Sequence, residues 1–215
     1  MSTRLDNRWF ALFCAVVACA LAPLVAPLVG GPGVGIASAG VDPIEGVLAQ
    51  MDVADLIGQL FVVTFWGDDV GPGSEIGQLV RDYRVGGVVL LPENRNFDDG
   101  ADAPQRIAAL TSSLQDLAAG RDGEYVPLFI AAEYAGDGYP YDAIRAGLTA
   151  LPSEMALGAT WQSAEASVVG SIAGRELRSV GVNMLLGPFL DVSNLPRPGS
   201  KGDLGTATYG GDPYW

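Results

Sequence analysis

Histidine is absent from the whole chain, so the commonest general base and the commonest metal ligand are both missing. Cysteine is nearly absent: Cys14 and Cys19 lie together in one apolar stretch near the start, which excludes a disulfide framework and a four-cysteine zinc site. Positive charge is scarce as well. Twelve Lys and Arg stand against 25 Asp and Glu, and a formal net charge of −13 repels a phosphate backbone, so nucleic acid is not an expected partner. No residue pattern calls for a metal or a cofactor. What is present is apolar: 49% of the 215 residues are hydrophobic and 17% charged, which excludes wholesale disorder and a collagen-like repeat. The length suits one domain, two at most.

The first 39 residues read as an address. Arg4 and Arg8 precede an uncharged run from Trp9 to Val29, and a Pro/Gly-rich stretch leads to Ala37-Ser38-Ala39. That is the order of parts in a secretory signal peptide with an A-x-A cleavage site. It predicts a chain that is secreted or held in the cell envelope and begins at Gly40. The run is also long enough to cross a bilayer as an uncleaved anchor, although Pro23 and Pro27 weaken a continuous helix. A third reading takes Val16-Val17-Ala18-Cys19 as a lipidation box. The exported part, 40–215, has neither cysteine nor histidine and must be held by packing alone.

That part alternates short apolar runs with helical patterns. Leu60–Phe65, Val88–Leu91, Leu128–Ala132 and Val182–Leu186 read as buried strands. Between them, Ile76, Leu79, Val80 and Tyr83 share one helix face, and so do Ile107, Leu110, Leu114 and Leu117 in the next connection. Asp102 and Gln105 have capping-box spacing at the start of that second helix. A third helix is expected over Gln162–Val180, with Val169, Ile172, Ala173 and Leu177 inward and Gly181 at its C-terminal cap. Connections this long between strands mean parallel pairing, so the class is α/β.

Three segments are candidates for chemistry. Gly71-Pro72-Gly73 precedes a helix, and Glu93 follows about 20 residues later, the layout of a dinucleotide fold. Gly77 is one residue too far for G-x-G-x-x-G, Pro72 removes a backbone donor, and Asp68 and Asp69 oppose a pyrophosphate; a structural glycine turn is the favoured reading. The second segment runs from Val126 to Asp137, where a strand ends in Glu133, Tyr134 and a glycine turn. Carboxylates at such a mouth can accept paired hydrogen bonds from sugar hydroxyls, and Tyr134, Tyr139 and Tyr141 offer flat apolar faces. The alternative is that Glu133 and Asp137 merely end a strand in solvent. The third runs from Val182 to Val192, where Asp191 sits between Leu190 and Val192; an inward carboxylate there needs partners, and bonding to loop amides or to a ligand would both serve.

These segments resemble a known family. Val85-Gly-Gly-Val-Val-Leu90, Val126 to Asp137, Thr149 to Thr160, Glu176-Leu-Arg-Ser-Val-Gly-Val-Asn183 with Pro188 and Asp191, and Gly205 to Pro213 occur in order. Together they are similar to the N-terminal barrel domain of glycoside hydrolase family 3, nearest its bacterial β-N-acetylhexosaminidase branch. The resemblance implies an incomplete TIM (β/α)8-type barrel, about its first half, over 40–215. It implies a carbohydrate partner, a β-linked N-acetylhexosamine or glucose-type glycoside, with Glu133 and Asp191 as substrate contacts and no cofactor or metal. Where the family reads Asp-Gln-Glu-Gly-Gly this chain has Glu133-Tyr134-Ala135-Gly136-Asp137, and where it reads Gly-Thr-Arg-Ser-Phe-Gly position 207 is Ala. The family's Lys-His segment and nucleophilic Asp have no counterpart here, so no catalytic residue is assigned. The expected function is O-glycosyl hydrolysis in carbohydrate metabolism, with this chain supplying part of the substrate-binding half. A catalytically inactive sugar-binding or structural relative is the first alternative, and an open α/β nucleotide-binding domain the second. An interrupted barrel also predicts self-association through open sheet edges.

Overall fold

The computed structural model describes residues 42–138, 141–193, 199 and 203–212. The signal, anchor and lipidation readings fall on 1–39 and lie outside the described residues, as does Tyr139. The chain divides into the units 1–42 and 43–215, and the elements below belong to the second. They are α1 (Pro43–Leu48), α2 (Val53–Gly58), β1 (Val62–Thr64), α3 (Glu75–Arg81), β2 (Gly87–Val89), a 3-10 turn (Pro92–Asn94), α4 (Ala103–Ala119), β3 (Phe129–Ala132), α5 (Glu154–Ala159), α6 (Ser163–Ser179) and β4 (Met184–Leu185).

Each expected strand is present in shortened form, and the four pair in parallel in the order β1-β2-β3-β4. The result is a partial α/β fold built on a parallel sheet. Its register aligns Val62 with Gly87 and Phe129, and Val63 with Val88 and Ile130. Alternation along a strand therefore separates two faces. Val63, Val88 and Ile130 join the core with Ile76, Val80, Ile107 and Leu114 from the helices. On the opposite face Val62 is 41% and Phe129 55% exposed.

The helical patterns hold with two corrections. In α3, Ile76 and Val80 are buried, but Tyr83 is exposed because the helix stops at Arg81 with Asp82 as its C-cap. In α4, Ile107, Leu110 and Leu114 are buried, and Leu117 packs against them. The expected capping box at Asp102 does not form. Its φ of −96° and ψ of 6° are not the extended geometry of an N-cap, and its carboxylate instead accepts from Arg106 Nε at 2.7 Å. A capping box does form at the start of α2, where Asp55 N–H donates to Asp52 Oδ1 at 2.8 Å and Asp52 N–H donates to Asp55 Oδ2 at 3.0 Å. Burial pushes the Asp55 carboxyl up, but the Asp52 N–H and the Arg84 guanidinium outweigh it and hold the pKa below its ordinary value.

Helix α6 runs as expected, with Ala173 and Leu177 buried and Gly181 just beyond it at φ +80°. A side chain at Gly181 would also strike Thr111, whose hydroxyl donates to Val180 O at 2.8 Å and pins α6 to α4. Asn183 then leads into β4. Its side chain accepts from Ile130 N–H at 2.7 Å and donates to Leu128 O at 2.9 Å, extending the β3 pairing below the two-residue strand.

Candidate active-site face

The C-terminal ends of the strands carry loops that are stitched to one another. Asn96, buried between β1 and β2, donates to Phe65 O at 3.1 Å and Gly67 O at 2.8 Å and accepts from Leu91 N–H. Asp99 joins the next pair of loops, accepting from Ala146 N–H at 2.9 Å and pairing with Arg145 Nε at 2.6 Å. Neither residue was singled out by sequence reasoning, and neither lies in a recognisable spacing.

After β3 the alternation continues into the loop. Tyr134 turns to the helix side, where it is buried and its hydroxyl donates to Thr149 O. Burial, with Glu176 and Asp142 nearby, raises its pKa well above a free phenol, so it serves as a packed strut and not as a displayed sugar platform. Glu133 falls on the opposite, open face. It is half-buried, its backbone O accepts from Ala143 N–H at 3.0 Å, and its carboxylate has no hydrogen-bond partner among the described residues.

The carboxylate that organises this loop is Asp142. Its Oδ1 accepts from Ala135 N–H at 2.8 Å and Gly136 N–H at 2.7 Å, and its Oδ2 accepts from Gly138 N–H at 3.1 Å. It is the inward carboxylate with loop amides that had been expected at Asp191. Asp191 itself is exposed. The chain leaves the sheet at Leu185, passes the cis bond Gly187–Pro188, and is held at Asp191 through its carbonyl, which accepts from Tyr209 N–H at 3.1 Å and Thr208 Oγ1 at 3.1 Å. Because the backbone does the binding, the side chain is left in solvent. Asp137, at φ +68°, accepts from Thr206 Oγ1 at 2.6 Å and closes the ring of loops.

Glu154 was also missed by sequence reasoning. It opens α5 behind the N-cap Ser153, is only 1% exposed, and accepts from Phe189 N–H at 3.2 Å through Oε1, while its buried Oε2 has no hydrogen-bond partner among the described residues. Burial, then the charges of Asp142 and Asp137, push its pKa up. The face thus gathers Glu133, Asp137, Asp142, Glu154 and Asp191, and the segments 133–138 and 187–193 contain no Lys or Arg. Chemically it is rich in acceptors, suited to hydroxyl donors and hostile to anions.

The glycine loop after β1 offers no comparable site. Gly71 N–H donates to Asp69 at 2.8 Å, Ser74 Oγ donates to Gly71 O at 2.8 Å, and Gly77 N–H donates back to Ser74 at 3.0 Å, so the turn consumes its own polar groups.

This geometry belongs to a known family. Residues 52–215 match the family described as the glycosyl hydrolase family 3 N terminal domain, and the chain belongs to that family, whose N-terminal domain is a TIM-barrel-like α/β fold. It is 33% identical over 125 residues to beta-hexosaminidase A of Pseudoalteromonas piscicida, covering 57% of this chain and 20% of that protein. It is 31% identical over 175 residues to a beta-N-acetylglucosaminidase/beta-glucosidase of Cellulomonas fimi, covering 80% of this chain and 26% of that one. Among solved structures, a family 3 beta-N-acetylglucosaminidase from Paenibacillus sp. str. FPU-7 superimposes with a TM-score of 0.65 at 31% identity, over 76% of this chain and 28% of that chain. The chain therefore spans between a fifth and a third of the length of these relatives.

Proposed function

We propose that this chain is part of the substrate-binding half of a family 3 glycosidase barrel, directed at β-linked N-acetylhexosamine or glucose-type glycosides. The observation that carries the reading is Glu133, a carboxylate without a hydrogen-bond partner among the described residues, at the C-terminal end of an inner strand. The names of the similar enzymes supply the substrate class. A retaining glycosidase uses one carboxylate to form a glycosyl-enzyme and a second group to protonate the leaving oxygen. The family segments for both are missing from these 215 residues, so the role left to this chain is to bind. Glu133 accepts from sugar hydroxyls, and Asp142 acts as a positioning residue by fixing the turn that follows.

Titration with N-acetylglucosamine tests this. Saturable binding that is lost in Glu133→Ala supports the reading, and binding unchanged in that variant overturns it. The chain alone should not hydrolyse an aryl N-acetylglucosaminide. Turnover that scales with its concentration and survives Glu133→Ala would contradict the assignment.

A second reading, an inactive relative with a decayed site, is favoured by position 207. Ala207 is 3% exposed in a segment held by Met155 N–H donating to Thr206 O and by the Thr208 hydroxyl, and it supplies no side-chain hydrogen-bond donor where the resembled family has a guanidinium. Under that reading Ala207→Arg lowers stability without raising sugar affinity; under the first it raises affinity.

Export rests on residues 1–39 and is likewise our proposal. N-terminal sequencing of secreted material should begin at Gly40, and a species starting at Met1 in membranes would favour the anchor instead. Self-association through the edges of β1 and β4 is proposed on the exposure of Phe61, Val62 and Leu185.

A further inference from the structure

Beside the mouth, at the start of α6, lies a cavity of about 380 Å³ whose walls include Leu157, Gly158, Trp161, Gln162, Ser163 and Tyr209. Its size falls in the range of small-molecule sites. Two aromatic side chains line it. Trp161 is 75% exposed and stands at φ +55°, a conformation that non-glycine residues adopt at a cost and that is held here by its N–H donating to Gly158 O at 3.1 Å. The adjoining turn is fixed as well: Thr160 Oγ1 donates to Leu157 O at 2.7 Å and accepts from Gln162 N–H at 3.2 Å.

Gly158 sets the distance between the walls. A Cβ there would stand 2.0 Å from Tyr209 O, so only glycine lets the Tyr209 segment lie this close. Tyr209 in turn donates its N–H to Asp191 O at 3.1 Å, which ties this wall of the cavity to the segment that carries Asp191.

The lining selects a ligand class. None of its side chains is charged, Glu165 lies in the first turn of α6, and Glu154 faces Tyr209; together these disfavour phosphates and carboxylates. The Gln162 amide and Ser163 hydroxyl make no side-chain hydrogen bonds among the described residues, so they are free to bond hydroxyls or an acetamido group. A flat apolar wall with neutral donors and acceptors at its rim fits the face of a pyranose ring.

We propose that Trp161 and Tyr209 form a secondary carbohydrate-binding subsite, taking a sugar unit of a β-linked oligosaccharide beyond the unit held near Glu133. It rests on the reading above only for the choice of sugar. The test titrates the full chain with N-acetylglucosamine and with its four-unit β-linked oligomer, following tryptophan fluorescence and heat. The oligomer should bind more tightly than the monosaccharide. Trp161→Ala should weaken the oligomer about two- to tenfold, the worth of one aromatic stacking contact, and leave the monosaccharide unchanged. Gly158→Ala, which displaces Tyr209, should give the same selective loss.

Equal affinity for the two ligands, or oligomer binding indifferent to Trp161→Ala, overturns the subsite. So does a Trp161→Ala chain whose light-scattering mass falls while its oligosaccharide affinity stays the same, because the indole would then be a contact between copies. Monosaccharide binding that ignores Glu133→Ala refutes the earlier reading alone; a selective Trp161 effect in the same titration still upholds the subsite.

Discussion

Strands β2 and β3 have a hydrogen-bonded neighbour on either side, whereas β1 and β4 have one on a single side. The inner pair contributes Val88, Ile130 and Ala132 to the core with no measurable exposure, while Val62 on one outer strand and Leu185 on the other are open to solvent. The sequences of the two classes are equally apolar. Burial follows the face of the sheet as well as the presence of a neighbour: Phe129 on an inner strand is 55% exposed on the open face, Val63 on an outer strand packs against the core, and among the described residues the open-face side chains of the outer strands have no covering strand.

The largest way to break this comparison is to hollow out its centre. Ile130→Ala removes a fully buried side chain and should cost about 2–5 kcal/mol in urea unfolding, against well under half of that for Val62→Ala at the edge. Comparable losses at the two sites would mean that the edge is covered. Asp142→Ala strips the charged acceptor from three loop amides and should cost about 1–3 kcal/mol. Amide exchange at Ala135, Gly136 and Gly138 should rise with it, and unchanged exchange would show that the turn holds itself.

Glu154→Gln is expected to stabilise. A carboxyl whose folded pKa lies above its unfolded value binds more protons in the folded state, so its ionisation subtracts stability as pH rises from the unfolded value through the folded one. The glutamine variant should melt higher than the parent at pH 7, and the advantage should disappear as pH falls below the ordinary glutamate range. A difference that ignores pH would contradict a buried ionisable Glu154. The smallest effect belongs to Asp102→Ala. Its side chain makes no capping hydrogen bond and pairs with Arg106 in solvent, so the urea midpoint should barely move, and a shift as large as that of Asp142→Ala would contradict this.

Much of the scaffold was legible because it depends on periodicity. Apolar runs marked all four strands, and the spacing of Ile107, Leu110 and Leu114 marked the buried face of α4. Tyr83 misled because its place in the helical stripe says nothing of where the helix stops. The candidate site was half legible. Glu133 stands out as a charge ending an apolar strand, whereas Asp142 accepts from a turn six residues back, which no periodicity marks, and Glu154 accepts from Phe189, 35 residues on. Asp191 looked inward because its neighbours Leu190 and Val192 are apolar, but both of those are exposed too. An apolar neighbourhood in a loop does not by itself imply an interior.

Among the described residues no further strand covers the outer edges of the sheet, and size-exclusion chromatography with light scattering tests most directly whether those edges are open. The account expects a mass above that of one chain, rising with concentration, and reduced by Val62→Lys or Leu185→Lys at the open edges. A sharp monomer peak at all concentrations, with cooperative two-state melting, would contradict it and describe a self-sufficient open α/β domain.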